Sequence, residues 1–98
     1  MSYAEELNAD ARLYILQELT NQVDGRCNQT VLMRVLDGLG VRRSSDWLRT
    51  QLRAMAELGA IKITEGGPVM IATLTRLGRD HAERRQVIEG ITRPADEA

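Results

Sequence analysis

The stretch RSSDWLRTQLRAMAELGAIKITEGGPVMIATLT, residues 43–75, decides the fold, because its hydrophobic period changes partway along. Up to Leu58 the apolar residues fall at helical spacing: Leu48, Leu52, Met55 and Leu58 share one face, and Asp46, Arg49, Thr50, Arg53 and Glu57 occupy the other. Ser44 or Ser45 supplies an N-cap, and Asp46 puts a carboxylate in the first turn, where the positive end of a helix favours it. Gly59 is the stop. From Ala60 the pattern alternates, with Ile61 and Ile63 against Lys62 and Thr64, then turns through Glu65-Gly66-Gly67-Pro68 into a second run, Val69 to Leu74. Two such runs joined by a short glycine-containing loop predict a β-hairpin.

Working outward, a first helix is expected from Asn8 or Asp10, with Leu13, Leu16, Leu19 and Val23 on one stripe, Ile15 beside them, and a stop at Asp24-Gly25. Residues Met1 to Leu7 read as a short extra turn or a loose arm. Cys27 falls in a short connection. Asn28 caps a second helix with Val31, Leu32, Val35, Leu36 and Leu39 on one face, ended by Gly38 and Gly40. Thr75 caps a last helix through about Arg85, with Leu77, His81 and Ala82 inward and Gly78 permitting close approach to another backbone. Val87, Ile88 and Ile91 form a tail element. The expectation is a mainly α protein with a small β-hairpin: a winged helix-turn-helix over residues 1–93, with three core helices, a two-stranded wing and a C-terminal helix, followed by a disordered tail at 94–98.

Composition narrows the classes. The chain has 98 residues, 43% of them apolar, enough for one modest core, and its 3% aromatic content leaves that core to Leu, Ile, Val, Met and Ala. One cysteine and one histidine exclude an intrachain disulfide and argue against a structural metal site. With no apolar run of membrane-span length and no leader-like start, a soluble cytoplasmic protein without a membrane partner is expected. The net charge is −1, but it is segregated: residues 1–25 carry −4, residues 26–53 carry +4, and every cation in the middle segment is an arginine. Arginine's planar fork of donors suits phosphate and guanine edges.

The segment Ser44 to Leu52 followed by Ala56-Glu57-Leu58-Gly59-Ala60-Ile61 resembles the recognition helix and first wing strand of ArsR-like and MarR-like bacterial regulators, and Ala72 to Asp80 is similar to the end of the wing and the start of the last helix in that group. The whole chain more closely resembles a family of small Mu-like prophage proteins with a Ser-Tyr-Ala-Glu start, here Ser2 to Glu5, and an Ile-Thr-Arg-Pro-like tail, here Ile91 to Pro94. The paired cysteines of metal-sensing ArsR proteins are missing, so metal sensing is not implied.

The expected function is double-stranded DNA binding as a phage-encoded transcriptional regulator, with helix 44–58 in the major groove. Arg49 and Arg53, four residues apart with Thr50 between them, would reach base edges. Arg42 and Arg43 would grip phosphates beside the helix N-terminus, where Ser45 and Asp46 complete the candidate interface. A plainer reading pairs Arg49 and Arg53 with Asp46 and Glu57 as ordinary surface ion pairs. Trp47 reads as core or interface packing, His81 as a satisfied core side chain and Cys27 as a small buried hydrophobe. The acidic turn Glu65-Gly66-Gly67-Pro68 does not suit a wing that touches DNA. The alternative is a protein-interaction module on the same scaffold, in a phage assembly or DNA-packaging complex. Pairing of two copies would use the first and last helices, although periodicity does not decide it. No phosphate loop, nucleophile–histidine pair or carboxylate cluster suggests an enzyme, and no cofactor is implied.

Overall fold

The computed structural model describes residues 2–95, and each of its α-helices opens on a small polar side chain. Ser2, Asn28, Ser44 and Thr75 each accept a hydrogen bond from the backbone N–H three residues on. These caps begin α1 (Tyr3–Asn21), α2 (Gln29–Gly38), α3 (Ser45–Glu57) and α4 (Arg76–Ala82). The strands are β1 (Arg26–Asn28), β2 (Ile61–Gly66) and β3 (Val69–Leu74). They form one antiparallel sheet in the order β1-β3-β2, so the protein is a mainly helical mixed α/β domain.

Several boundaries differ from expectation. α1 starts at Tyr3, not near Asn8 or Asp10, because Ser2 and Glu5 stand in the spacing of a capping box and the Ser2 hydroxyl accepts from the Glu5 N–H at 3.2 Å. Val23 lies beyond the helix end and is fully exposed, so it does not extend the α1 stripe. The sheet has three strands rather than two. Cys27, expected in a connection, pairs opposite Ala72 and is buried between exposed Arg26 and Asn28. β1 covers the edge of β3 that a two-stranded hairpin would leave unpaired. α4 stops at Ala82 because Arg84 takes a left-handed conformation, φ 66°, and the Arg85 N–H returns to the Asp80 carbonyl at 2.7 Å.

The connection from α2 to α3 is set by Gly40. Its φ of 87° lets the Gly40 N–H reach the Asp37 carbonyl at 3.0 Å and the Val41 N–H reach the Leu36 carbonyl at 2.8 Å. This paired Schellman closure leaves few conformations open to the turn that follows.

α1 is the central element. Its buried residues Ala11, Leu13, Ile15, Leu16 and Leu19 occupy more than one face, and it packs against α2, α3, α4 and β3. Leu32 and Leu36 of α2 and Leu48, Leu52 and Met55 of α3 meet it in the core. The hairpin is joined to α4 through Gly78, where any side chain would collide with the Ala60 carbonyl oxygen. The expected close backbone approach is therefore present.

After α4 the described residues, 83–95, form no helix or strand but are firmly held. His81 is fully buried, with Nδ1 accepting from the Ile88 N–H at 2.9 Å. Nδ1 is therefore the unprotonated nitrogen, and Nε2–H donates to the Thr92 carbonyl at 2.9 Å. Arg12 donates to the Gly90 carbonyl at 3.0 Å, the Thr92 N–H to the Ala9 carbonyl at 3.2 Å, and the Thr92 hydroxyl to Asp10 at 2.5 Å. Ile88 and Ile91 are buried beneath these bonds, while Val87 is exposed. Pro94 is half-buried and Ala95 exposed; residues 96–98 of the tail expected to be disordered lie outside the described residues.

Two substitutions test this packing. Gly78→Ala is expected to cost about 2–3 kcal/mol, because backbone rather than a flexible side chain must move, and to lower Tm by roughly 10–20 °C; an unchanged melting curve would refute the contact. His81→Phe keeps a planar ring, though a larger one, and strands the Ile88 N–H and the Thr92 carbonyl, at roughly 2–4 kcal/mol. Hydrogen exchange at the Ile88 amide should accelerate, and retained protection there would contradict the clasp.

Candidate nucleic-acid interface

The outward side of α3 carries Asp46, Thr50, Arg53 and Glu57, all exposed, because Leu48, Gln51, Leu52 and Met55 are turned into the core. Gln51 is a buried polar residue that the apolar pattern did not flag. Its side-chain oxygen accepts from the Arg12 Nε–H at 2.9 Å, and burial pulls that guanidinium below its ordinary pKa. The N-cap is Ser44, whose hydroxyl accepts from the Trp47 N–H at 3.1 Å, and Ser45 is exposed at the first helical position. The Thr50 hydroxyl donates back to the Asp46 carbonyl at 3.0 Å. Trp47 is half-buried against the core, and its indole N–H donates to Asn8 at 3.2 Å.

Arg49 and Arg53 do not form an equivalent pair. Arg49 is half-buried: its Nε–H donates to the Gln29 side-chain oxygen at 3.3 Å and its Nη2 to the Pro68 carbonyl at 2.6 Å. The same Gln29 oxygen accepts the Met70 N–H at 3.1 Å, and Gln29 is itself buried. A glutamine at the start of α2 thus joins β3, while an arginine from the middle of α3 holds the hairpin turn. Neither of the surface pairings weighed for Arg49 describes this bridge. Arg53 remains exposed one turn further along α3.

Arg42 and Arg43 project from the rigid turn and separate two grooves. One, of about 380 Å³, lies toward α1 and includes Leu7, Tyr14, Leu39 and Trp47. The other, of about 280 Å³, is lined by Met33, Arg34, Asp37, Val41, Arg42 and Arg43. Arg34 is a member of the basic cluster that motif reading missed. The available signal was its place on α2, on the exposed side away from Leu32 and Leu36, one turn before Asp37. Arg42 forms an ion pair with Asp37 at 3.2 Å, with both side chains largely exposed. The hairpin brings Lys62 and Glu65, both exposed, and a connection, Gly67–Pro68, that has no charged side chain.

Other candidate chemistry is quiet. The Cys27 thiol is pushed up by burial and then by the charge of Glu18, so it is held as the unreactive thiol. Among the described residues no three His, Cys, Asp or Glu side chains come together, and no helix is long and apolar enough to cross a membrane.

Fold and site together define a small, mainly helical domain with a three-stranded antiparallel sheet and an arginine-lined face beside α3. The chain is 33% identical over 92 residues to the uncharacterized protein gp26 of Escherichia phage Mu, an alignment covering 94% of this chain and 95% of the Mu protein. It belongs to the family of that Mu protein. No family model matches the chain. No solved structure matches it either.

Gln29→Leu tests the junction at the hairpin. It leaves the Met70 N–H buried without an acceptor and releases Arg49, for an expected cost of about 1–3 kcal/mol. Urea denaturation reads the loss and amide exchange at Met70 locates it; stability equal to the parent would disprove the junction.

Proposed function

We propose that the protein is a winged helix-turn-helix DNA-binding protein of phage origin, acting as a transcriptional regulator. In this reading α2 and α3 are the helix-turn-helix, β2–β3 is the wing, and α3 enters the major groove with Thr50 and Arg53 toward base edges. Ser45 and Asp46 lie where the start of α3 meets the duplex. Arg42 and Arg43 lie at its flank, where phosphates pass, and Arg49 holds the wing beside α3. The observation that carries the reading is that Arg42 and Arg43 line one groove at the turn leading into α3, a helix whose outer residues Asp46, Thr50, Arg53 and Glu57 are all exposed. The relationship to a Mu protein supports the phage origin. Two copies on one site would set their α3 helices one helical turn of DNA apart, about 34 Å.

A second reading, a protein-interaction module, is favoured by one feature: the groove of about 380 Å³ with apolar side chains from Leu7, Tyr14, Leu39 and Trp47, of which Leu39 is 55% exposed. Binding to duplex DNA separates the two. If about four phosphates are contacted, log affinity falls with log salt at a slope near −3.6. Arg53→Ala is expected to cost about 1–3 kcal/mol on a selected cognate site and little on random sequence. Failure of the wild-type chain to bind any duplex at low salt removes the DNA reading in favour of the protein-interaction one.

A further inference from the structure

We propose that Arg34, Arg42 and Arg43 form a seat for one stretch of DNA phosphodiester backbone, and that Asp37 is an internal counter-anion which the phosphates displace from Arg42. The proposal deepens the DNA-binding reading above and rests on it.

Three guanidiniums from α2 and the turn after it line one groove of about 280 Å³, and Asp37 is the carboxylate among its lining residues. The turn is held by the two backbone bonds that close α2, so the seat needs little ordering when a ligand arrives. Guanidinium forks match phosphate oxygens two at a time. The groove also lies on the α2 side of the turn, off the outward side of α3. A phosphate held there leaves Thr50 and Arg53 free, so backbone grip and base reading fall to different elements.

Asp37 is placed where a carboxylate is unfavourable in two ways. It stands in the last turn of α2, at the negative end of the helix dipole. It also lies 3.2 Å from Arg42, where it opposes any incoming anion. The ion pair is open to water, with side-chain exposures of 82% and 60%, so it holds Arg42 only weakly. The arrangement is that of a competitor. Asp37 keeps Arg42 occupied in the free protein and lowers affinity for duplex without adding to the core.

The experiment titrates the full-length chain with a 16-base-pair duplex of random sequence, followed by fluorescence anisotropy across a KCl series, with circular dichroism melting to show that each variant folds. Arg34→Ala is expected to make the salt slope shallower by about 0.9, the share of one phosphate, and Arg34→Lys to retain it. Asp37→Asn should bind roughly threefold to fivefold more tightly at low salt, and that gain should vanish in an Arg42→Ala background. If the wild-type chain binds duplex but Arg34→Ala keeps the full slope, or Asp37→Asn fails to gain affinity, the seat is wrong and the DNA reading stands. If the wild-type chain binds no duplex, both fall together.

Discussion

The exposed side of α3 owes its setting to one buried amide oxygen. The Gln29 carbonyl accepts from the Met70 N–H of β3 and from Arg49 of α3, and Arg49 reaches on to the Pro68 carbonyl. Elements α2, α3 and β3 are joined there, and the hairpin turn is held beside α3 rather than left to swing. The arrangement gives Arg49 a use that competes with base reading. A guanidinium has five donors, and here two of the nitrogens are committed inside the protein. Its contribution to a duplex would be mainly to aim the hairpin.

The scaffold beneath this junction is secured from the other end of the chain. Residues 86–95 cross α1 without regular structure, and such a segment stays in place only if its backbone groups find partners. His81, Arg12 and the Ala9 carbonyl supply them, and Asp10 adds an acceptor for the Thr92 hydroxyl. Arg12 also donates to Gln51 on the inner side of α3, so one half-buried cation connects the clasp to the helix that carries the candidate interface. Gly78 removes the side chain that would otherwise push α4 off the hairpin. The outer surface of α3 is thus the far side of a helix anchored by apolar packing, by Arg12 and by the Gln29 junction.

The helices and the hairpin were readable because periodic apolar residues and polar caps are local signals. Asn28, Ser44 and Thr75 act as caps, two of them without a competing assignment, and Gly78 was read from its place in α4 alone. The early start of α1 was equally local: Ser2 and Glu5 have the capping-box spacing, but the apolar stripe drew the boundary toward Asn8. What could not be read depends on distant partners. β1 is three residues long, too short to show a period, and exists because β3 offers an edge. α4 ends at a left-handed arginine where sequence reading looks for glycine. The use of Arg49 depends on Gln29, 20 residues earlier, and on Pro68, 19 residues later, so spacing within α3 could only suggest Arg53 as its companion. Arg34 escaped notice because membership of the basic cluster is decided by how α2 meets the turn.

A net charge of −1 is a poor guide to what such a molecule can hold. Exposed charges more than about 10 Å apart are largely screened from one another at ordinary ionic strength, so an approaching polyanion responds to the local set. Around the turn after α2 that set is three arginines, with Asp37 on the α2 side and Asp10 of α1 on the other. The first turn of α1 carries Glu5 and Glu6, both exposed. The molecule therefore has a strong charge asymmetry despite a small total. If the protein binds DNA as proposed, a duplex would be drawn by the arginines of the turn, and the acidic first turn of α1 would orient the approach instead of preventing it.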